Sequence, residues 1–110
     1  GMMAISQLQM PVGINENQLR SMYEAYYQDF PLISVLPKGI APEVVAIKNS
    51  ARIEIGIDIS ETHADGSQTV CITSVLDNLI KGGAGQALQN FNLMTGHINS
   101  YQLDQLGMWP

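Results

Sequence analysis

The stretch Ile53-Glu54-Ile55-Gly56-Ile57-Asp58-Ile59 places a β-branched apolar residue at every second position, with charged residues or glycine between. Successive side chains of an extended chain point to opposite faces. A two-residue period with isoleucine on one side therefore predicts a strand that buries one face. Downstream, Asp65-Gly66 lies in a polar stretch ahead of a second apolar run over residues 69–76. That is the mark of a hairpin, and it pairs the two strands antiparallel.

Working upstream, residues 32–36 form a short apolar run closed by Pro37-Lys38-Gly39 and then Pro42, which predicts a strand followed by a surface loop over 37–43. Before it, Leu19, Met22, Tyr23, Tyr26, Tyr27 and Phe30 recur at helical spacing, with Glu16, Arg20, Glu24 and Gln28 on the opposite face. Asn15 and Gln18 form a capping-box pair at the start of this helix, and Pro31 ends it. Residues 3–12 mix Ile5, Leu8, Met10 and Val12 with polar residues and read as a strand ending at Pro11-Val12-Gly13. At the other end, Ala84, Ala87, Leu88, Phe91 and Met94 give a second amphipathic helix terminated by Gly96. The order strand, helix, strand, strand, strand, helix buries best as an α+β fold: a mostly antiparallel sheet with both helices on one face.

With 110 residues, 45% of them apolar and 14% charged, the chain is expected to fold as one domain, 1–110. Gly1 ahead of Met2 reads as a remnant of tag removal. Five basic and ten acidic side chains give a net charge of −5, which repels phosphate backbones and anionic lipid and argues against nucleic acid or membrane as partner. A single cysteine cannot form an internal disulfide, and no apolar run reaches the ~18–20 residues of a membrane span. A cytoplasmic protein is expected. No spacing of His, Cys, Asp or Glu suggests a metal site.

The most informative segment is Asp77-Asn78-Leu79-Ile80-Lys81-Gly82-Gly83-Ala84-Gly85-Gln86-Ala87-Leu88-Gln89-Asn90, which joins the last strand to the last helix. Glycine costs a helix about 1 kcal/mol relative to alanine. Three glycines in four positions therefore imply either a tight turn packed on a neighbour or a surface that a ligand approaches closely. Free amides at a helix start favour anions or carbonyls. The run is not a phosphate-binding loop of the Gly-Lys-Ser/Thr kind, and the spacing of a Gly-x-Gly-x-x-Gly dinucleotide fingerprint is missing.

This segment, continued by Phe91-Asn92-Leu93-Met94-Thr95-Gly96, resembles the C-terminal signature of the N-acetyl-γ-glutamyl-phosphate reductases, relatives of the aspartate-semialdehyde dehydrogenases. The likeness extends more weakly from the Leu36-Pro37-Lys38-Gly39 turn through the hairpin to the Gly-aromatic-Pro tail at residues 107–110. It implies the C-terminal part of a substrate and dimerisation domain of the glyceraldehyde-3-phosphate-dehydrogenase-like kind. Such enzymes use NADPH to reduce an acyl phosphate to a semialdehyde in arginine biosynthesis, through a cysteine thiolate and a thioacyl enzyme. The resemblance assigns the nucleophile, a histidine and the nucleotide-binding Rossmann domain to segments other than these 110 residues. The chain alone is then expected to be inactive, with no catalytic residue. What carries over is a wall of the NADP site: Asn78 bonded to the nicotinamide carboxamide, with the amides and small surface of Lys81, Gly82, Gly83 and Gly85 lining it.

Two departures stand out. Gly83 occupies a position where the family more often has alanine or serine, and residues 49–53 lack the family's Gly-Ser-Asn-Tyr-Cys, which removes support for a substrate contact at Ala51 or Arg52. Cys71, between Val70 and Ile72 in a strand, reads as a structural small hydrophobe rather than a nucleophile. His63 and His97 lack a carboxylate or cysteine at useful spacing and read as solvated, and Asp77 reads as the acceptor of an Asx-type turn. Surfaces shaped to meet a missing domain predict self-association into a dimer or higher oligomer. A stand-alone interaction or regulatory module derived from the same domain is the alternative.

Overall fold

The computed structural model describes residues 1–107. The elements are β1 (Met2–Met10), α1 (Glu16–Tyr27), β2 (Ile33–Val35), a 3₁₀ turn (Val44–Ile47), β3 (Ile53–Thr62), β4 (Gln68–Leu76) and α2 (Gly85–Met94). The sheet runs β1-β4-β3-β2. β3 pairs antiparallel with β4, and β1 antiparallel with β4 on its other edge, whereas β2 lies parallel to β3 with Ile33 opposite Ile53. The α+β reading and the hairpin hold, and the sheet is mixed rather than purely antiparallel. The parallel pair requires a crossover, supplied by residues 36–52.

The hairpin turns where expected. His63 N–H donates to the Ser67 carbonyl at 2.8 Å, Asp65 Oδ1 accepts from the Ser67 amide at 2.9 Å, and Gly66 takes φ +86°. That left-handed conformation is what glycine supplies without a steric cost. Across the sheet, Ile57 stands opposite Ile72 and Ile59 opposite Val70. Ile57, Val70 and Ile72 form a buried core with Met10 and Ile55, against which Ile59 and, from α1, Leu19, Tyr23 and Tyr27 pack. The opposite face is crossed at one end by residues 37–47. Gly56 admits Pro42 so closely that a Cβ would come within 2.6 Å of the proline ring. The 3₁₀ turn packs against β4, and Val75 and Ile47 are fully buried.

α1 begins as expected, with Asn15 Oδ1 accepting from Gln18 N–H and Gln18 Oε1 accepting from Asn15 N–H. Its inward face differs from the simple stripe. Glu16 and Arg20 are buried, while Met22, Tyr26 and Phe30 face solvent, Tyr26 at 73% exposure. The reason is a hydrogen-bond deficit in the sheet. β2 ends at Val35, beyond which β3 lacks a neighbour, and the Arg20 guanidinium donates to the carbonyls of Ile57, at 2.7 Å, and Leu36. Glu16 accepts from Arg20 at 3.1 Å and pairs with Lys38 at the same distance. A buried charge is tolerated when it is paired and bonded in this way. Of the two helices, α1 covers the sheet, and α2 packs chiefly on the segment leading out of β4.

Among the described residues no helix is long and apolar enough to cross a membrane. The tail position of Trp109 lies outside the described residues.

Candidate functional site

β4 ends at Leu76, and the chain then folds into a bend built around Asp77. The buried carboxylate accepts three main-chain N–H bonds: from Leu79 at 2.8 Å and Ile80 at 3.1 Å through one oxygen, and from Asn49 at 2.8 Å through the other. The Asn49 amide, followed by that of Ile80, holds this carboxyl below the ordinary aspartate range, because bonds to the ionised form favour it. The Asx-type turn is present. A second contact, to residue 49, ties the bend to the crossover.

Residues Ile80–Ala84 form a single wide turn rather than a helix start. Gly82 N–H donates to the Asp77 carbonyl at 3.1 Å, Ala84 N–H to Leu79 at 3.0 Å, and Gly85 N–H to Ile80, all five residues back. Gly83 departs from helical geometry at φ −142° and ψ −106°, producing the kink before α2. The expected row of free amides is therefore largely consumed by the turn itself. What remains available is small surface and one side chain.

That side chain is Asn78, exposed beside Gly82. A Cβ on Gly82 would lie 2.7 Å from Asn78 Oδ1, so the carboxamide rests on space that only glycine leaves open. Among the described residues the Asn78 carboxamide makes no hydrogen bond. Gly82, Gly83 and Ala84 are exposed with it, so the bend is an outward surface rather than a packed interior. Gly85 plays another role. It is buried, and a Cβ there would meet the Ile80 carbonyl oxygen at 2.7 Å, which makes it a packing glycine.

Lys81 turns elsewhere. Its ammonium donates to Gln86 Oε1 at 2.8 Å and to Gln89 Oε1, on the wall of a hollow of about 230 Å³ between residues 30–33 and α2. Partial burial pushes its pKa below the usual lysine range. The structure thus brings Asn78 and Gly82 together with Gly83 beside them, and separates the side chain of Lys81 and the buried Gly85 from them. Sequence patterning missed Asn49, Gln86 and Gln89. The Asp77–Asn49 tie spans 28 residues and leaves no local signal, whereas the spacing from Lys81 to Gln86 across the turn is readable only once the bend is known.

The other titratable candidates fall away from the bend. Cys71 is half-buried in β4, 3.9 Å from Thr73 Oγ1. His63 Nε2 lies 2.8 Å from Thr69 Oγ1 in the hairpin, and His97 bonds Thr95 Oγ1 and stacks on Tyr101. Among the described residues no three His, Cys, Asp or Glu side chains are grouped to hold a metal.

The comparisons bear on the domain from which this bend emerges. Residues 1–78 match the model of the semialdehyde dehydrogenase dimerisation domain. The chain belongs to this family. It is 36% identical over all 110 residues to the N-acetyl-gamma-glutamyl-phosphate reductase of Magnetococcus marinus, covering 30% of that protein. It is 34% identical over its whole length to the protein of the same name from Geobacter sp. strain M21, covering 31% of it, and 38% identical over 96 residues (87% of this chain) to that of Bacillus amyloliquefaciens, covering 27%. The chain spans about a third or less of the length of these curated relatives. The family model stops at residue 78, so the bend that follows, with Lys81 and the glycines, lies beyond the part it describes.

Proposed function

We propose that these residues form the C-terminal part of the substrate and dimerisation domain of an NADPH-dependent N-acetyl-γ-glutamyl-phosphate reductase of the cytoplasm, and that Asn78 with Gly82 and Gly83 faces the nicotinamide. The observation that carries the reading is the unbonded, exposed carboxamide of Asn78 resting on Gly82. A primary amide offers one acceptor and two donors, the complement of a nicotinamide carboxamide, and a glycine floor leaves room for a flat ring. These residues fit such a ligand, with side chain and bare backbone in place of the free amides expected from the glycine run.

Bound NADPH would supply the hydride. The chain's own part is to orient and to exclude water: Asp77 fixes the turn, Asn78 presents its amide, and Gly82 and Gly83 keep the surface clear. The one cysteine lies in β4 away from the bend, so the thiolate nucleophile and the Rossmann half belong to another segment, and the chain by itself has no reductase turnover. The exposed apolar side chains of β1 (Met3, Ile5) and α1 (Met22, Tyr26) support assembly into a dimer or higher oligomer.

The test joins this chain to the preceding part of the Magnetococcus marinus relative and measures phosphate-dependent reduction of NADP with N-acetyl-glutamate semialdehyde. Turnover by the joined protein, lost on Asn78→Ala by about tenfold or more in kcat/KM for the cofactor, supports the reading. A well-folded joined protein without turnover favours an interaction module that has left the enzyme behind.

A further inference from the structure

We infer that the hollow between residues 30–33 and α2 is a binding site for the carboxylate of a small organic acid. It is separate from the Asn78 surface and does not rest on the function proposed above. Lys81 and, from α2, Gln86, Gln89, Asn90 and Leu93 line it together with Phe30 of the 30–33 segment, around a volume of about 230 Å³.

Three observations converge. First, the cation has no counter-ion among the described residues. Among the described residues the ion pairs are those of Arg20, Lys38 and His63, while the Lys81 ammonium meets only the neutral oxygens of Gln86 and Gln89. Partly buried charges are normally paired, and two amide oxygens leave a third N–H of the ammonium unused. Second, Gln89 is 5% exposed and lines the hollow, its Oε1 is taken by Lys81, and among the described residues its Nε2 bonds to no acceptor. Gln86 differs, since its Nε2 donates to Asn90 at 3.3 Å. Third, Phe30 and Leu93 give the cavity an apolar side that suits a short alkyl body.

One ammonium N–H and one amide N–H side by side match the two oxygens of a carboxylate. They do not match a phosphate group, which favours several main-chain amides in a nest or an arginine fork. The amides of Gly82, Ala84 and Gly85 are already bonded to carbonyls five residues back.

The experiment titrates the ¹⁵N-labelled chain with sodium propionate and, at equal ionic strength, with sodium chloride and sodium phosphate, following the backbone and side-chain amides. Propionate should give saturable shifts at Gln86, Gln89 and Asn90 that chloride does not. Lys81→Met should weaken them by about tenfold or more, Gln89→Met should do likewise, and Lys81→Arg should largely retain them. The inference is overturned if the shifts grow linearly without saturation, if chloride reproduces them, or if they persist in Lys81→Met. Tighter saturable binding of phosphate than of propionate overturns the assignment to a carboxylate.

Discussion

Replacing Arg20 with methionine removes the group that fastens α1 to the sheet. Arg20 is 8% exposed, and its guanidinium donates to the Ile57 carbonyl at 2.7 Å, to the Leu36 carbonyl, and to Glu16 Oε1 at 3.1 Å. Methionine keeps much of the apolar stem and supplies no donor. The buried Ile57 carbonyl then loses its partner, at about 1–3 kcal/mol, and the part-buried Leu36 carbonyl loses its own at the lower end of that range. Glu16 is left with Lys38, an ion pair whose lysine side chain is 70% exposed and which is worth about 0–1 kcal/mol. The expected loss is about 2–5 kcal/mol. At about 4–8 °C per kcal/mol for a domain near this size, Tm falls by about 10 °C or more. Urea unfolding followed by circular dichroism measures the loss, and Glu16→Gln alone and combined with Arg20→Met gives the coupling between the two side chains. A loss under about 1 kcal/mol, or full recovery with Arg20→Lys, would refute the reasoning, because lysine offers no fork to span two carbonyls.

Asp77 gives a pH signature. Its pKa is lowered in the folded chain, so its stabilisation is complete above the unfolded carboxylate value near 4 and disappears as pH falls through the folded value. The stability gap between wild type and Asp77→Ala should be widest at pH 5 and narrow toward pH 2, and a gap constant across that range contradicts the assignment. The two close-contact glycines should behave oppositely. Gly85→Ala drives a Cβ into the Ile80 carbonyl and should reduce hydrogen-exchange protection of α2, at a cost of about 1–3 kcal/mol. Gly82→Ala only displaces the tip of Asn78 and should leave that protection within about 1 kcal/mol of wild type. Static light scattering should report a dimer or larger species, and a monomer persisting at high concentration counts against the proposed assembly.

The strand at residues 53–59 and its hairpin were legible because burial of one face imposes a period that no other element shares. The helix of Leu19 to Phe30 was equally legible, and its orientation was not. Its apolar stripe is wider than the sheet can cover, and a buried Glu16–Arg20 pair looks in sequence like any solvated pair of charges. β2 was found as a strand, but its parallel partner depends on a crossover that local pattern does not encode. At the bend, three glycines announced an unusual backbone. They did not reveal that the turn would close on its own amides, or that Gly82 serves the surface while Gly85 serves the packing. That division depends on where Asn78 and Ile80 lie in space.

The central claim is that the carboxamide of Asn78 and the bare backbone of Gly82 face a nicotinamide ring. In the joined two-domain protein with bound NADP, nuclear Overhauser contacts between the nicotinamide ring protons and the Gly82 α-protons or the Asn78 side-chain amide test it most directly. Contacts to both residues, lost in Asn78→Ala without loss of folding, are the predicted result. Bound cofactor whose nicotinamide shows contacts elsewhere and none to residues 78–83 would contradict it.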